Sequence, residues 1–165
     1  MTHFQLKNEF KNLSKLRHKN IVEAYELYID NDHAKVYLLM EYVQGREMFD
    51  YIVEIGVYTG KQEVPASEPI EETAKQLFKE LLLGIQFLHQ NGVVHRDLKP
   101  NNILALDDGK GIKIADFNVA KFFDGEYKDS KTLQKTKLKM YTYTGTLAFS
   151  APEIFDNDSY DEAVD

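Results

Sequence analysis

His95-Arg96-Asp97-Leu98-Lys99-Pro100-Asn101-Asn102 decides how this chain is read, because Asp97 to Asn102 place a carboxylate, an ammonium and a carboxamide within six residues. Asp97 can accept a proton from a hydroxyl, Lys99 can neutralise a migrating phosphoryl group, and Asn102 offers a neutral oxygen to magnesium. Singly, each is an ordinary loop residue, since exposed Asp, Lys and Asn usually only solvate a surface. In this order they describe phosphoryl-transfer chemistry.

Upstream of this loop, Ala74, Leu77, Phe78, Leu81, Ile85 and Leu88 fall at helical spacing. Glu71 and Glu72 lie near the N-terminal end of the stripe, where carboxylates suit the helix dipole, and Asn91-Gly92 supplies the stop. Val93-Val94 leads into the loop. Downstream, Ile103–Ala105 and Ile112–Ala115 read as a hairpin turning at Asp107-Asp108-Gly109. The remainder to residue 150 is polar, hydroxyl-rich and dotted with lysine, and reads as a long mobile segment. Towards the N-terminus, Leu6, Phe10, Leu13 and Leu16 share one helical stripe. Ile21–Tyr28 and Lys35–Val43 read as strands joined at Asp30-Asn31-Asp32. Residues 56–69, with Gly56, Gly60, Pro65, Ser67 and Pro69, read as a loop. The expected class is α+β.

A chain of 165 residues suits one domain or part of one, and this length buries about 70% of its unfolded surface. Ten Tyr and ten Phe argue against disorder. The net charge of -7, with no dense Lys/Arg block, leaves no electrostatic footprint for nucleic acid or an anionic membrane. The absence of cysteine excludes disulfides, thiolate metal sites and a cysteine nucleophile. No apolar run reaches the roughly 20 residues of a membrane span, and the start has no signal-peptide core. An intracellular, cytoplasmic protein is expected.

Asp116-Phe117-Asn118 lies nineteen residues after Asp97, and Gly145-Thr146-Leu147-Ala148-Phe149-Ser150-Ala151-Pro152-Glu153 follows. With the opening loop, these segments resemble the catalytic loop, the Asp-Phe-Gly motif and the end of the activation segment of eukaryotic protein kinases. Lys99, two residues after Asp97, resembles the serine/threonine class. The resemblance implies a partial bilobal kinase fold: residues 1–43 as an incomplete N-lobe and hinge, and residues 44–165 as the first part of the mainly helical C-lobe. It also implies a serine/threonine protein kinase transferring phosphoryl groups from ATP, with Mg2+, to hydroxyls of a protein or peptide substrate. The oligomeric state is left open.

Residue roles follow from the same resemblance. Asp97 would orient and deprotonate the hydroxyl, Lys99 would steady the transferring group, and Thr146 would steady both. Asn102 and Asp116 would hold magnesium. Glu41 and Val43 would give backbone hydrogen bonds to adenine, Glu47 would meet the ribose, and Met48 and Leu104 would pack below the base. Glu9 would pair with an ATP-anchoring lysine. Arg96 would receive a phosphate on Thr142. Asn101 stands where many kinases preferring arginine-rich substrates carry an acid. Leu13, His95 and Phe117 match a hydrophobic spine, and Asp165 matches a buried Asp that braces the catalytic loop. Asn118 replaces the family's Gly, and Asn tolerates positive φ. Gly56-Val57-Tyr58-Thr59-Gly60-Lys61 superficially looks like a phosphate loop, but its spacing is one residue short and Gln62 is neither Ser nor Thr.

Residues 1–165 contain no glycine-rich phosphate loop ahead of Glu9 and no Val-Ala-Ile-Lys strand. The expectation is that these residues alone transfer phosphate negligibly and leave apolar faces exposed. A non-catalytic, pseudokinase-like binding or regulatory module is the alternative, favoured by the missing nucleotide-gripping elements and by Asn118.

Overall fold

The computed structural model describes residues 7, 10–54, 68–107, 109, 111–122, 140, 144–155 and 159–165. After a helical turn at 10–13, β1 (Ala24–Asp30) and β2 (Lys35–Met40) form an antiparallel hairpin. Its turn is set by Asp30, whose Oδ1 accepts from the N–H groups of Asp32 and His33. β3 (Gly45–Glu47) runs directly into α1 (Met48–Glu54), and α2 (Glu68–Gln90) is followed by β4 (Val93–Val94). The hairpin β5 (Ile103–Leu106) and β6 (Ile112–Ile114) and the short β7 (Lys121–Phe122) complete the strands. Among the described residues the sheets are β1-β2, β3-β5-β6 and β4-β7, so the architecture is α+β.

α2 is the platform. Leu77 and Leu88 are buried, and Leu81 and Ile85 pack beside them against Leu16, Ile21, Val93, Ile103, Ile112 and Ile114. Phe78 shares the stripe, seven residues before Ile85, yet is 60% exposed, because it lines an apolar pocket with Met48, Tyr51 and Leu81 instead of being covered by the core. The expected loop at 56–69 is corrected at its end, since Glu68 and Pro69 already belong to α2. Proline there falls in the first turn, where its missing N–H costs no helical hydrogen bond. The helix stops as expected: Gly92 has φ +69 and donates to the carbonyl of His89. Gly56 to Lys61 lie outside the described residues.

Residues 18–23 fasten the β1–β2 hairpin to this platform. His18 stacks on Phe87 with ring centroids 4.7 Å apart. Asn20, 2% exposed, donates from Nδ2 to Glu80 at 2.7 Å and to the Ile112 carbonyl at 3.0 Å. Ile114 N donates to Asn20 O at 2.8 Å, and Val22 N to Ile114 O at 2.9 Å, forming a parallel bridge centred on Ile21. Both strands begin or end short of expectation: β1 starts at Ala24 because 20–23 is engaged with β6, and β2 ends at Met40.

A second small core of Val94, Met140, Ile154 and Tyr160 sits beside the loop that follows β4. Most of the stretch expected to be a long mobile segment, residues 123–139 and 141–143, lies outside the described residues. β7 pairs with β4, and Met140 exchanges both backbone hydrogen bonds with Tyr160. Leu147 and Phe149 are exposed.

Candidate active site

The loop from His95 to Asn102 spans the gap between β4 and β5, with a 3-10 turn at Pro100–Asn102. Its backbone is fixed from below by Asp165, whose side chain has no exposed surface. Asp165 Oδ2 accepts from His95 N and Oδ1 from Arg96 N, each at 2.7 Å. His89 Nε2 lies 3.0 Å from the same Oδ2, tying the end of α2 to this brace. His95 is fully buried; its Nε2 sits 2.9 Å from the Ala115 carbonyl and its ring lies against Phe117. These contacts force Arg96 into a left-handed conformation, φ +68, which a non-glycine residue adopts only when its surroundings dictate it.

Three of the predicted residues converge on the carboxylate of a fourth, Asp97. Asp97 Oδ1 accepts from Thr146 Oγ1 at 2.7 Å. Asp97 Oδ2 accepts from Lys99 Nζ at 2.8 Å and from Asn102 Nδ2 at 3.0 Å. Lys99 Nζ also donates to Thr146 Oγ1 at 2.8 Å, and Asn102 Nδ2 to the Asp97 carbonyl at 2.9 Å. Partial burial pushes the Asp97 carboxyl up, but the hydrogen bonds from Lys99, Thr146 and Asn102 and the charge of Lys99 outweigh it, so the group sits below the usual carboxylate range. Thr146 is delivered by Gly145, whose φ of +98 brings it so close that a Cβ would lie 2.5 Å from the Arg96 carbonyl.

Asp116 is joined to this cluster through its neighbour, since Ala115 N donates to the Asn102 carbonyl at 2.9 Å. The left-handed residue in Asp116-Phe117-Asn118 is Asp116 itself, φ +61. Asn118 has no positive φ and instead donates its N–H towards Asp116 Oδ1 at 3.4 Å, so the tolerance expected of it is not called upon. Among the described residues, no group of three or more His, Cys, Asp or Glu is placed to hold a metal ion.

On the other side, the β3–β5 register sets Glu47 opposite Leu104, with Met48 next in chain and packed on the core. Asn101 Nδ2 donates to Glu47 Oε2 at 2.7 Å. Gly45 allows this approach, since a Cβ there would run into the Ala105 carbonyl. Glu41 and Val43 lie in the link between β2 and β3, where Glu41 N donates to the Glu23 carbonyl. Arg96 donates from Nε to the Val119 carbonyl at 2.7 Å, and its Nη1 lies 3.4 Å from the Tyr160 hydroxyl. Glu9 and Thr142 lie outside the described residues. The roles of His89 and of Lys113, which pairs with Glu41, escape sequence reading because partner choice across the fold leaves no local pattern.

Among the described residues, no helix is long and apolar enough to cross a membrane. The protein kinase domain model matches residues 1–165. The chain is 40% identical over 162 residues to a calcium/calmodulin-dependent protein kinase type 1 of Caenorhabditis briggsae, covering 97% of this chain and 38% of that protein. The protein of the same name from Caenorhabditis elegans is also 40% identical, with 97% and 39% covered. A CBL-interacting serine/threonine-protein kinase 15 of Arabidopsis thaliana is 36% identical over 157 residues, covering 95% of this chain and 32% of that protein. The chain thus spans about two fifths or less of the length of these relatives. On the full-length family match and the segments that assemble around Asp97, this chain belongs to the protein kinase domain family.

Proposed function

We propose that this chain supplies the catalytic loop and activation-segment side of a serine/threonine kinase, moving a phosphoryl group from Mg-ATP to a hydroxyl of a protein or peptide. The observation that carries this reading is the cluster of Lys99, Thr146 and Asn102 on one Asp97 carboxylate. A structural ion pair needs one partner. Three donors on one part-buried carboxylate suit a group whose geometry matters for reaction.

ATP when bound supplies the phosphoryl group, and magnesium neutralises charge as it transfers. The donor set fits that ion. Asn102 spends its Nδ2 on Asp97, which leaves Oδ1 as a hard, neutral oxygen ligand, and Asp116 adds a carboxylate. Magnesium is typically held by one or two carboxylates plus phosphate oxygens, so a site without a three-carboxylate cluster is in keeping with it. Glu41 and Val43 would meet adenine through their backbone, Glu47 the ribose, and Met48 and Leu104 the underside of the base.

Asp97, held below its ordinary range, is a weak base. Its first contribution would be to orient the substrate hydroxyl; it would accept the proton as the hydroxyl oxygen bonds to the terminal phosphorus and the bond from that phosphorus to the departing ADP breaks. Lys99 offsets the developing negative charge, and Thr146 keeps both side chains in register. The division into residues 1–43 and 44–165 places this cluster wholly in the second part, with the adenine-facing link at their junction. Glu9 and a phosphorylated Thr142 facing Arg96 would be the regulatory elements.

The test is transfer of radiolabelled phosphate from Mg-ATP to a peptide library by the full protein containing this chain, followed by phosphoamino-acid analysis. Label on serine and threonine is expected. Tyrosine label alone would overturn the class assignment, and Mg-ATP binding without any transfer would favour the non-catalytic binding module.

A further inference from the structure

The side chain of Glu41 does something that a backbone role in the β2–β3 link does not require. Its Oε1 lies 2.9 Å from Lys113 Nζ, and its Oε2 accepts from Glu23 N at 3.2 Å. Both partners of the ion pair are largely withdrawn from solvent, with side-chain exposures of 15% for Lys113 and 22% for Glu41. Lys113 Nζ also reaches the Ile21 carbonyl at 3.5 Å. Beneath the pair runs residues 20–23, hydrogen-bonded to Ile114 on one side and to Glu41 on the other.

The pair therefore crosses a strap that is itself stitched to both of its neighbours. One end is the link that follows β2. The other is the middle of β6, three residues before Asp116. Screening by water, which leaves exposed ion pairs nearly worthless, is reduced here, and both carboxylate oxygens are engaged.

We propose that Glu41 and Lys113 form a clasp that fixes the distance between the adenine-facing link and the Asp116 end of β6, with Lys113 a positioning residue for nucleotide. The proposal rests on the nucleotide-binding reading above. Adenine and the phosphates of one nucleotide are rigidly spaced, so two gripping segments must be held at a matching separation. Without the clasp, the link follows the β1–β2 hairpin, whose strand β2 is exposed along its length and is poorly restrained by packing.

Lys113→Met in the full protein is expected to raise KM for ATP roughly three- to tenfold, the scale of one part-buried ion pair, with a smaller change in kcat. Lys113→Arg, which keeps the charge, is expected to hold KM near the parent value. Hydrogen exchange measured without nucleotide is expected to quicken at the Glu23 and Glu41 amides in Lys113→Met. A lowered melting temperature with KM unmoved would overturn the proposal by leaving Lys113 a stabilising residue only. So would Lys113→Met with unchanged exchange at both amides. If the parent protein does not bind Mg-ATP, the nucleotide reading fails and the positioning role with it, while faster exchange in Lys113→Met would still identify the clasp as a structural link.

Discussion

Thr146 Oγ1 donates to Asp97 Oδ1 at 2.7 Å, joining two loops forty-nine residues apart in the chain. The same hydroxyl accepts from Lys99, so one small group holds a carboxylate and an ammonium in register. Thr146→Val keeps the shape and removes the donor. Asp97 then loses one of the bonds that hold it low, its carboxyl titrates higher, and the acid limb of the pH–rate profile moves to higher pH. A fall in kcat/KM of about ten- to a hundredfold is expected, with recovery in Thr146→Ser.

Asp165 carries two loop N–H groups on one buried carboxylate. Asp165→Ala leaves both donors unsatisfied, at a cost of about 3 kcal/mol. Asp165→Asn retains one acceptor oxygen and should cost less. Thermal denaturation of the two variants measures the difference, and equal melting temperatures would contradict the bracing role.

Gly145 has φ +98, and a Cβ there would meet the Arg96 carbonyl at 2.5 Å. Because the obstacle is backbone rather than a movable side chain, Gly145→Ala must shift the Thr146 segment. The expected penalty is about 2 kcal/mol of stability, together with a loss of kcat that Thr146→Ser does not show.

Glu80 anchors residues 18–20 to α2 by accepting from Lys19 and Asn20. Those hydrogen bonds, led by Lys19, hold its carboxyl below the usual carboxylate range. A group depressed in the folded state stabilises it above the unfolded pKa and loses that contribution as pH falls through the folded value. Acid titration followed by hydrogen exchange at Asn20 and Ile114 should show protection that is full above the ordinary glutamate range and declines as pH falls below it. Glu80→Gln should have weaker protection that no longer changes over that window.

The site was legible in the sequence to the extent that its residues are close in the chain. Asp97, Lys99 and Asn102 announce one another by spacing, and Asp116 and Thr146 gain meaning from that loop. The helix from Glu68 and the β5–β6 hairpin were legible because burial imposes a period, although Phe78 shows that an apolar residue on the stripe need not be covered. β3 and β7 are three and two residues long, too short to carry a period, and exist because β5 and β4 offer them partners. The positive φ at Asp116 was likewise out of reach: Asp tolerates that region, but what places it there is the neighbouring Ala115–Asn102 hydrogen bond and the contact of Phe117 with His95, which are distant in the chain.

The central claim is that the carboxylate gathered by Lys99, Thr146 and Asn102 serves phosphoryl transfer. Asp97→Asn in the full protein keeps the side-chain shape and one acceptor oxygen while removing the charge and the basicity. Steady-state phosphoryl transfer from Mg-ATP to a serine-containing peptide is expected to fall by about a hundredfold or more, with Mg-ATP affinity held near the parent value. Transfer that persists at the parent rate in Asp97→Asn would contradict the account.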